Sequence, residues 1–433
     1  MHRNWGAIGR IKIGVKILAL RVKHNPTTSE VFSFSLLLAG ILMLPLNKVM
    51  ATSFLMRSHR NTRKLRRQIF IEGFLHKFGL FDGNIMDKMI PVKSRGQDVY
   101  PGRVFKIKEA SNNEKGVLIL TFNNTFTQLK ANYDMGKILS DYYVVLEPSY
   151  SGYCNAEILQ FLEYQGHKII VEAADKTDYD FLTRMNGNLV PVDIGSANWV
   201  DDRTFKDLKL TKEYDCIMVA MWNEVKRHHL LFRAIKDISD PTYRVCLVGK
   251  RWGLTRHDIE AMANYYGIEG NIDIFENIPP DEVNILLNKS RVNLLLSLKE
   301  GGNKSVFEGF FANVPVIMLK NHIGINKNHI NEHTGVFIDE KDLAKTLVWF
   351  RKEYARFRPR NWAMTNISPR ISAAKLEARL KQIAHQENRP WTNPIVPKVN
   401  RPECQYYDES IRLTPLDFAK YRKTSIKGLG IKG

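Results

Sequence analysis

Residues 297–317 read SLKEGGNKSVFEGFFANVPVI, and this stretch sets the pattern for much of the chain. A Gly-Gly pair, Gly301 and Gly302, follows one apolar run, and a second apolar run begins near Pro315. Apolar runs separated by a glycine loop and a helix-length segment are typical of a strand, loop and helix in an α/β fold. Two glutamates, Glu300 and Glu308, lie on either side of the loop, so the stretch also raises the question of what their carboxylates bind.

The same alternation extends outward in both directions and restarts after a polar joint near residues 193–212. Strands that alternate with helices of about ten residues predict βαβ units and parallel sheets. We therefore expect an α/β protein with two doubly wound, Rossmann-like domains that face a cleft, where ligands bind beyond the carboxyl ends of the strands. The candidate strands are residues 117–122, 142–146, 167–171, 188–192, 216–220, 245–248, 271–275, 292–296, 314–318 and 335–338.

This pattern predicts four segments. Residues 1–100 form a basic, partly apolar N-terminal extension, and residues 101–195 form the first Rossmann-like domain. Residues 196–385 form the second such domain, and residues 386–433 form a proline-rich strap. The strap is predicted to be extended because its prolines prevent a long helix, with a short helix near residues 416–421.

Charge is concentrated in the extension, where residues 1–68 hold 13 lysines and arginines but one glutamate. These residues account for +12 of the net charge of +19. A basic end on a nearly neutral body indicates an anionic surface such as lipid headgroups. Nucleic acid is not a predicted partner, because its binding domains carry a basic stripe on a folded face. A solvated, disordered leader remains the alternative.

Residues 31–46, VFSFSLLLAGILMLPL, carry no charge but fall short of the roughly 20 residues that span a bilayer. Three interpretations stay open: a short membrane anchor, an interfacial helix, or an extension that precedes the true start of the chain. The four cysteines show no C-x-x-C spacing, which fits a reducing compartment. We therefore expect a cytoplasmic protein, with or without membrane association through this segment.

The glycine loop of the opening stretch is the candidate binding site. Glycines let the backbone approach a ligand closely, and the free N–H groups at the start of the following helix suit a diphosphate. Glu300 at the rim is placed to bind sugar hydroxyls, and Glu308 to bind those of a ribose. The residues predicted to bind this diphosphate-containing ligand, the sugar donor, are Gly301, Gly302, Asn303, Lys304, Ser305 and Glu308.

A structural role for Glu308 is the alternative. Ser305 and Glu308 match the S-x-x-E capping box, in which the glutamate binds only the backbone N–H of the serine.

Residues 296–317 resemble the signature P-S-x-x-E-G-x-G-x-x-x-x-E-A-x-A-x-G-x-P-V-I of the family 4 (group 1) glycosyltransferases, which have the GT-B fold. The spacing of Glu300 and Glu308 is kept, and the departures include Leu296 for the proline and Asn303 for the second glycine. The resemblance covers about residues 188–350, in the family's order. It implies transfer of a sugar from a nucleotide-activated donor with retention of configuration, and neither a metal ion nor another cofactor.

Lys226 extends this resemblance, because residues 219–234 look like the family's G-R-x-x-x-x-K-G-x-x-x-L-L-x-A. The resemblance implies that Lys226 grips the donor diphosphate and that Glu300 acts on the sugar, which makes these two the candidate catalytic residues. Ala220 and Met221 replace the usual Gly-Arg, so the predicted diphosphate site lacks one positively charged side chain. His228 and His229, just beyond, are expected to be solvated.

The first Rossmann-like domain is expected to hold the acceptor, a saccharide or a lipid-linked molecule. Its candidates follow predicted strands: Asn123 and Asn124 after the first, and Glu147 and Tyr153 after the second. Two polar residues at a strand end are also typical of a plain turn.

Asp178-Tyr-Asp180 matches the D-x-D motif of metal-dependent glycosyltransferases, but polar residues rather than an apolar strand precede it. We interpret it as a helix start and predict no metal site. A second functional class stays open: a catalytically silent binder of nucleotide sugars, or a scaffold, that has kept the GT-B shape.

Overall fold

The computed structural model describes residues 13–15, 17–19, 25–111, 113–401 and 404–423. They form two compact units. We call Ser33–Gly195, with the described residues from Ala373 onward, the N-terminal unit, and Ser196–Ser372, with the described residues up to Phe32, the C-terminal unit. The chain passes between the units at Gly195, close to the joint where the alternation of strands and helices restarts.

Between Pro26 and Arg95 the described residues form five helices before the first sheet, and several supply buried side chains to the core of the N-terminal unit. Leu37, Leu55 and Ile71 share one apolar cluster with Leu118 and Val144 of the sheet. The predicted extension, residues 1–100, therefore includes helices that cover this sheet. None of these or the other described helices is long and apolar enough to cross a membrane. The five are α1 (Pro26–Met43), α2 (Lys48–Asn61), α3 (Leu65–Lys77), α4 (Gly83–Met89) and α5 (Val92–Arg95).

The sheet of the N-terminal unit has five strands in the order β1-β2-β3-β4-β5. The edge strand β1 runs antiparallel to β2, and the other neighbours are parallel. The strands are β1 (Val104–Lys108), β2 (Gly116–Thr121), β3 (Tyr142–Glu147), β4 (Ile169–Glu172) and β5 (Leu189–Val192). The helices between them are α6 (Asn123–Asn132), α7 (Met135–Asp141), α8 (Ala156–Leu159) and α9 (Lys176–Met185).

The sheet of the C-terminal unit has six parallel strands in the order β11-β10-β9-β6-β7-β8. The strands are β6 (Cys216–Val219), β7 (Val245–Gly249), β8 (Ile272–Glu276), β9 (Asn293–Leu295), β10 (Val316–Leu319) and β11 (Gly335–Ile338). The helices are α10 (His228–Ile238), α11 (Arg256–Tyr266), α12 (Pro280–Asn288), α13 (Lys304–Phe311), α14 (Leu343–Glu353) and α15 (Pro359–Asn366). This is the order of a doubly wound, Rossmann-like sheet, as the alternation predicts.

After the long helix α16 (Pro369–Gln386), the chain runs as an extended strap on the N-terminal unit. The backbone N–H of Val396 donates to the carbonyl of Ile107 in β1 over 2.7 Å. The remaining elements are β12 (Lys398–Asn400), β13 (Cys404–Tyr406) and α17 (Phe418–Tyr421).

Candidate functional site

The strand order of the C-terminal unit identifies one edge position as the place for a ligand. The chain winds outward from β6 through β7 to β8, and then returns to β9 on the other side of β6. At such a reversal the loops after the two central strands leave the carboxyl edge side by side and open a crevice. The loop after β6 carries Lys226, and the loop after β9 carries Glu300.

The two predicted catalytic residues meet at this position. The Nζ of Lys226 lies 2.5 Å from Oε2 of Glu300, and the two side chains are 16% and 11% exposed. The same carboxylate oxygen accepts a second hydrogen bond, over 2.7 Å, from the side-chain amide of Asn303. The structure thus joins residues that are 74 positions apart in the sequence.

The other oxygen of Glu300 is left without a partner among the described residues. Oε1 is buried and makes no hydrogen bond to any of them. A buried acceptor without a hydrogen bond carries a desolvation cost of about 1–3 kcal/mol, which a ligand hydroxyl or a water at this position would remove. Glu300 is therefore held in place through Oε2, while Oε1 is available to accept a hydrogen bond from a ligand.

The start of α13 is open to an anion. Asn303 is the N-cap residue of this helix, but its side chain makes no capping hydrogen bond to the first amides. Its amide group binds Glu300 instead, and its Oδ1 accepts from the hydroxyl of Ser305 over 2.7 Å. The N–H groups of the first turn therefore keep their capacity to bind a negatively charged group, which the helix dipole also favours.

Glu308 does not form the capping box that its spacing allowed. The helix starts at Lys304 rather than after Ser305, and the Glu308 carboxylate has no hydrogen bond or ion pair with any described residue. Burial raises the pKa of Glu308 to about 7, and the positive charge of Lys304 opposes that shift only in part. A half-buried carboxyl group without a partner, one helical turn from the uncapped amides, is available to a ligand.

Two glycines fix the path of the loop that carries Glu300. A Cβ on Gly302 would lie 2.2 Å from Oγ of Ser196 and 3.1 Å from the backbone nitrogen of Ala197. Gly324, in the loop after β10, has φ = +121°, and a Cβ there would overlap the carbonyl oxygen of Glu300. The backbone N–H of Glu300 also donates to the carbonyl of Ile323 over 3.0 Å.

Sequence reasoning identified Gly302 and missed Gly324. The sequence offered a single glycine in the loop of residues 321–326. Such a glycine indicates a turn, but it does not indicate which other loop packs against that turn. Which backbone the glycine touches depends on the packing of two loops that lie more than 20 residues apart in the chain.

The turn that presents Lys226 is tied to the site by the next residue. Arg227 adopts a left-handed conformation with φ = +59° and is buried. Its guanidinium donates to Oε1 of Glu340 over 2.6 Å and to the carbonyl of Leu296 over 3.4 Å. Because Leu296 begins the loop that leads to Glu300, Arg227 links the Lys226 turn to that loop.

The prediction that His228 and His229 are solvated is wrong. Both are buried in the first turn of α10. Burial and the nearby charge of Lys226 lower the pKa of His228 to about 3, so this imidazole is neutral at ordinary pH. The apolar face of α10 continues into this first turn, which brings both rings into the core.

In the N-terminal unit, the predicted acceptor residues make contacts within their own unit. Glu147 pairs with Lys398 over 2.5 Å and accepts from Asn400 over 3.0 Å. The hydroxyl of Tyr153 donates to the carbonyl of Glu172 over 2.6 Å. These contacts give Glu147 and Tyr153 structural roles that the sequence did not reveal, because Lys398 lies 251 residues from Glu147.

The two asparagines of the acceptor set differ in exposure. Asn123 is buried, and its Oδ1 accepts from the backbone N–H of Ser149 over 2.9 Å, while its Nδ2 has no hydrogen-bond partner within the described ranges. Asn124 is exposed at the start of α6.

The D-x-D sequence lies in a helix start, as predicted. Asp178 is in the first turn of α9, and its carboxylate accepts from the backbone N–H groups of Gly152 and Tyr153 over 2.7 and 2.8 Å. These bonds hold the loop after β3 against the helix.

Comparison with known proteins gives one family match and several structural likenesses. Residues 200–355 match the family described as glycosyl transferases group 1. No curated protein sequence gives a significant match. Among solved structures, the chain is similar to sucrose-phosphate synthase from Thermosynechococcus elongatus, at 14% identity over 62% of this chain and 74% of that chain, with a TM-score of 0.50.

Two further likenesses are weaker. The chain is similar to TarM of S. aureus at 15% identity over 61% of this chain, with a TM-score of 0.49, and it spans about half (54%) of the TarM chain. It is also similar to Anabaena HepE in complex with UDP and glucose, at 11% identity over 61% of this chain and 77% of that chain, with a TM-score of 0.46.

The fold and the family match agree on the same part of the molecule. Two Rossmann-like units are the architecture of the GT-B glycosyltransferases. The matched residues include the Lys226 turn, the Glu300 loop and α13. Residues 200–355 therefore match the group 1 glycosyltransferases, and the chain is similar in fold to the GT-B proteins.

Proposed function

We propose that this protein is a retaining glycosyltransferase that moves a sugar from a nucleotide-activated donor to an acceptor hydroxyl, in polysaccharide or glycoconjugate synthesis. The observation that carries the proposal is the partnerless Oε1 of Glu300, next to Lys226 and to the uncapped start of α13. A nucleotide sugar offers hydroxyl donors to the carboxylate and a diphosphate to the lysine and the helix amides.

Each group has a separate role in this proposal. Lys226 and the first amides of α13 stabilise the negative charge that grows on the departing diphosphate, and such fixed groups act most strongly in the transition state. Glu300 orients the sugar through Oε1, and Glu308 binds the ribose hydroxyls. Gly301 and Gly302 bring the backbone close to the phosphates, with Asn303, Lys304 and Ser305 at the rim. The proposed mechanism uses no metal ion.

The acceptor is proposed to be a saccharide or a lipid-linked molecule. Asn124, which is exposed, and Asn123, whose Nδ2 is partnerless, are the acceptor-side residues that the contacts leave available. The basic N-terminal extension is proposed to bring the enzyme to a membrane surface, where a lipid-linked acceptor resides.

A panel of nucleotide sugars tests the donor assignment through the melting temperature. A ligand that binds the folded state stabilises it by about 2.7 kcal/mol at 100 times its Kd, which is a readily measured shift. We expect one or a few donors to raise the melting temperature, and the Lys226→Ala variant to lose most of that rise. If no nucleotide sugar stabilises the protein, or Lys226→Ala responds like the wild type, the donor site is misplaced.

The configuration of the product is measured separately. In the proton NMR spectrum of the product, we expect the coupling constant of the anomeric proton to show the same anomeric configuration as in the donor. The opposite anomer would reject retention while leaving the donor site intact.

A silent nucleotide-sugar binder is the second candidate, and the internal contacts of Glu147 and Tyr153 favour it. Donor hydrolysis separates the two, because an active transferase slowly releases free nucleotide without an acceptor. Donor stabilisation without nucleotide release, under any acceptor tested, would support the silent binder.

A further inference from the structure

The outward face of helix α1 is apolar where a surface helix is ordinarily polar. Its inner face packs on α2, where Ser33 and Ser58 exchange hydrogen bonds and a Cβ on Gly40 would lie 2.7 Å from Cγ of Leu55. The opposite face presents Phe34 and Leu38 to solvent, 49% and 46% exposed. A helix that is apolar on all sides is ordinarily buried in a core or in lipid.

This apolar face continues past the end of α1. Leu42, in the last turn of the helix, is 74% exposed, and Leu46, in the connection to α2, is 79% exposed. With Phe34 and Leu38 these residues follow a spacing of four along one side. Contiguous exposed apolar residues of this kind mark a surface that meets another apolar phase.

Helix α3 extends the same surface and adds positive charge. It buries Ile71 and Leu75 but exposes Leu65, Ile69 and Phe70. The α1 and α3 surfaces adjoin, because the guanidinium of Arg67 lies 5.5 Å from the ring centroid of Phe34. Lys64, Arg66 and Lys77 are exposed among the apolar residues of α3.

The charge around this surface is mostly positive. Residues 26–78, which include α1 and α3, contain eight lysines and arginines and two acidic residues, Glu30 and Glu72. Glu72 is buried and paired with His59 and Arg184, so it does not offset the exposed cations. An apolar face bordered by cations matches the interface of a bilayer with anionic headgroups, where apolar side chains enter the acyl boundary and lysine and arginine stay at the phosphates.

We infer that the outward faces of α1 and α3 form a docking surface for the interface of an anionic lipid bilayer. The helices lie on the membrane rather than across it, since they are already folded against α2 and the core of the N-terminal unit. This inference does not rest on sugar transfer. It adds the lipid class and the contacting residues to the membrane surface proposed above.

Vesicle sedimentation of the full chain tests this docking surface. We expect strong binding to vesicles of phosphatidylcholine with phosphatidylglycerol, weaker binding at high salt, and little binding to phosphatidylcholine alone. An apolar variant should bind at least tenfold more weakly, because each exposed side chain loses its transfer into the acyl boundary. This variant combines Leu38→Gln, Leu42→Gln and Phe70→Gln.

A charge variant tests the electrostatic part. We expect about a fivefold loss for each cation removed, hence about a hundredfold in all, on the anionic vesicles. This variant combines Lys64→Gln, Arg66→Gln and Lys77→Gln. A matched control changes exposed apolar residues of the C-terminal unit and should bind like the wild type; it combines Ile285→Gln, Val348→Gln and Met364→Gln.

Three results would overturn the inference: equal binding to both vesicle types, wild-type binding by the apolar and charge variants, or a dimer in light scattering that the apolar variant converts to monomers. The dimer would make this face a subunit interface. The melting temperature of each variant, and its stabilisation by a nucleotide sugar without lipid, should match the wild type. Loss of lipid binding with donor binding intact, or the reverse, therefore shows which proposal fails.

Discussion

Each unit of this protein holds a lysine–glutamate pair at the carboxyl end of its sheet, and the two pairs have the same Nζ–Oε2 distance of 2.5 Å. In the N-terminal unit, Glu147 has both oxygens engaged, one by Lys398 and one by Asn400, and Lys398 is fully buried. In the C-terminal unit, Glu300 has one oxygen engaged, and the other is buried with no hydrogen bond from the part of the chain that the structure describes.

Distance alone therefore does not separate a structural ion pair from a binding site. Burial disfavours the charged form of Lys398, but the charge of Glu147 outweighs that effect and the pKa of Lys398 is raised. This pair is complete within the chain. The Lys226–Glu300 pair is incomplete, because its open oxygen and the uncapped start of α13 still require a partner.

Breaking the complete pair, Lys398 and Glu147, should have the largest effect on stability. Lys398→Met leaves the Glu147 carboxylate buried without its cation, which costs about 3–5 kcal/mol in the free energy of unfolding. Urea unfolding measures this loss. Removing both charges, with Glu147→Leu in addition, should recover most of it, because no unpaired charge remains. A double variant no more stable than the single one would show that the pair itself is not the source.

Breaking the incomplete pair, Lys226 and Glu300, should affect activity instead. Glu300→Gln keeps the size of the side chain but removes the charge, and we expect transfer to fall by about 10²–10³-fold, as for the loss of a group that stabilises the transition state. The free energy of unfolding should change less than for Lys398→Met, because this pair is not fully buried and the glutamine oxygen can still accept from Lys226 and Asn303. Wild-type turnover by Glu300→Gln would place the reaction elsewhere.

The position of Glu300 can be disturbed without changing it. Gly324→Ala forces the carbonyl of Glu300 to move, because the new Cβ overlaps that oxygen and the backbone has φ = +121°. A displacement of about 1 Å at a reacting group can cost 10²-fold in rate. Steady-state kinetics should show a fall in kcat larger than the change in donor affinity. Gly253→Ala, which also has a positive φ but meets no atom within 4 Å, is the matched control.

The smallest effect concerns the pH dependence of stability. Burial raises the pKa of Glu308 from 4.5 to about 7 in the folded protein. Between these two pH values the unfolded chain loses the proton while the folded protein keeps it, so stability falls as pH rises through this window. Glu308→Gln removes the effect. Without donor, its stability relative to the wild type should therefore grow from about pH 4.5 to about pH 7 and then level off.

A constant difference between Glu308→Gln and the wild type across that range would mean that the pKa of Glu308 is not raised in the folded protein. The same pair of proteins tests the ribose role, since Glu308→Gln should weaken donor binding in the melting assay.

Much of the C-terminal unit could be predicted from the sequence. Residues 280–288 begin with proline, which favours the first position of a helix, and they form α12. The spacing of Glu300 and Glu308 around a glycine pair indicated a loop followed by a helix. The N-terminal helices were harder to predict, because residues 31–46 are apolar on all sides and periodicity cannot say which face is covered.

The sequence by itself determined the alternation of strands and helices, the glycine loop and the positions of its two glutamates. These features depend on backbone preferences and side-chain periodicity within about ten residues. Only the tertiary structure decided that Lys226 meets Glu300, that Gly324 supports it, and that Lys398 completes the pair with Glu147. Those contacts join residues from 24 to 251 positions apart, and strand order and packing, rather than local pattern, bring them together.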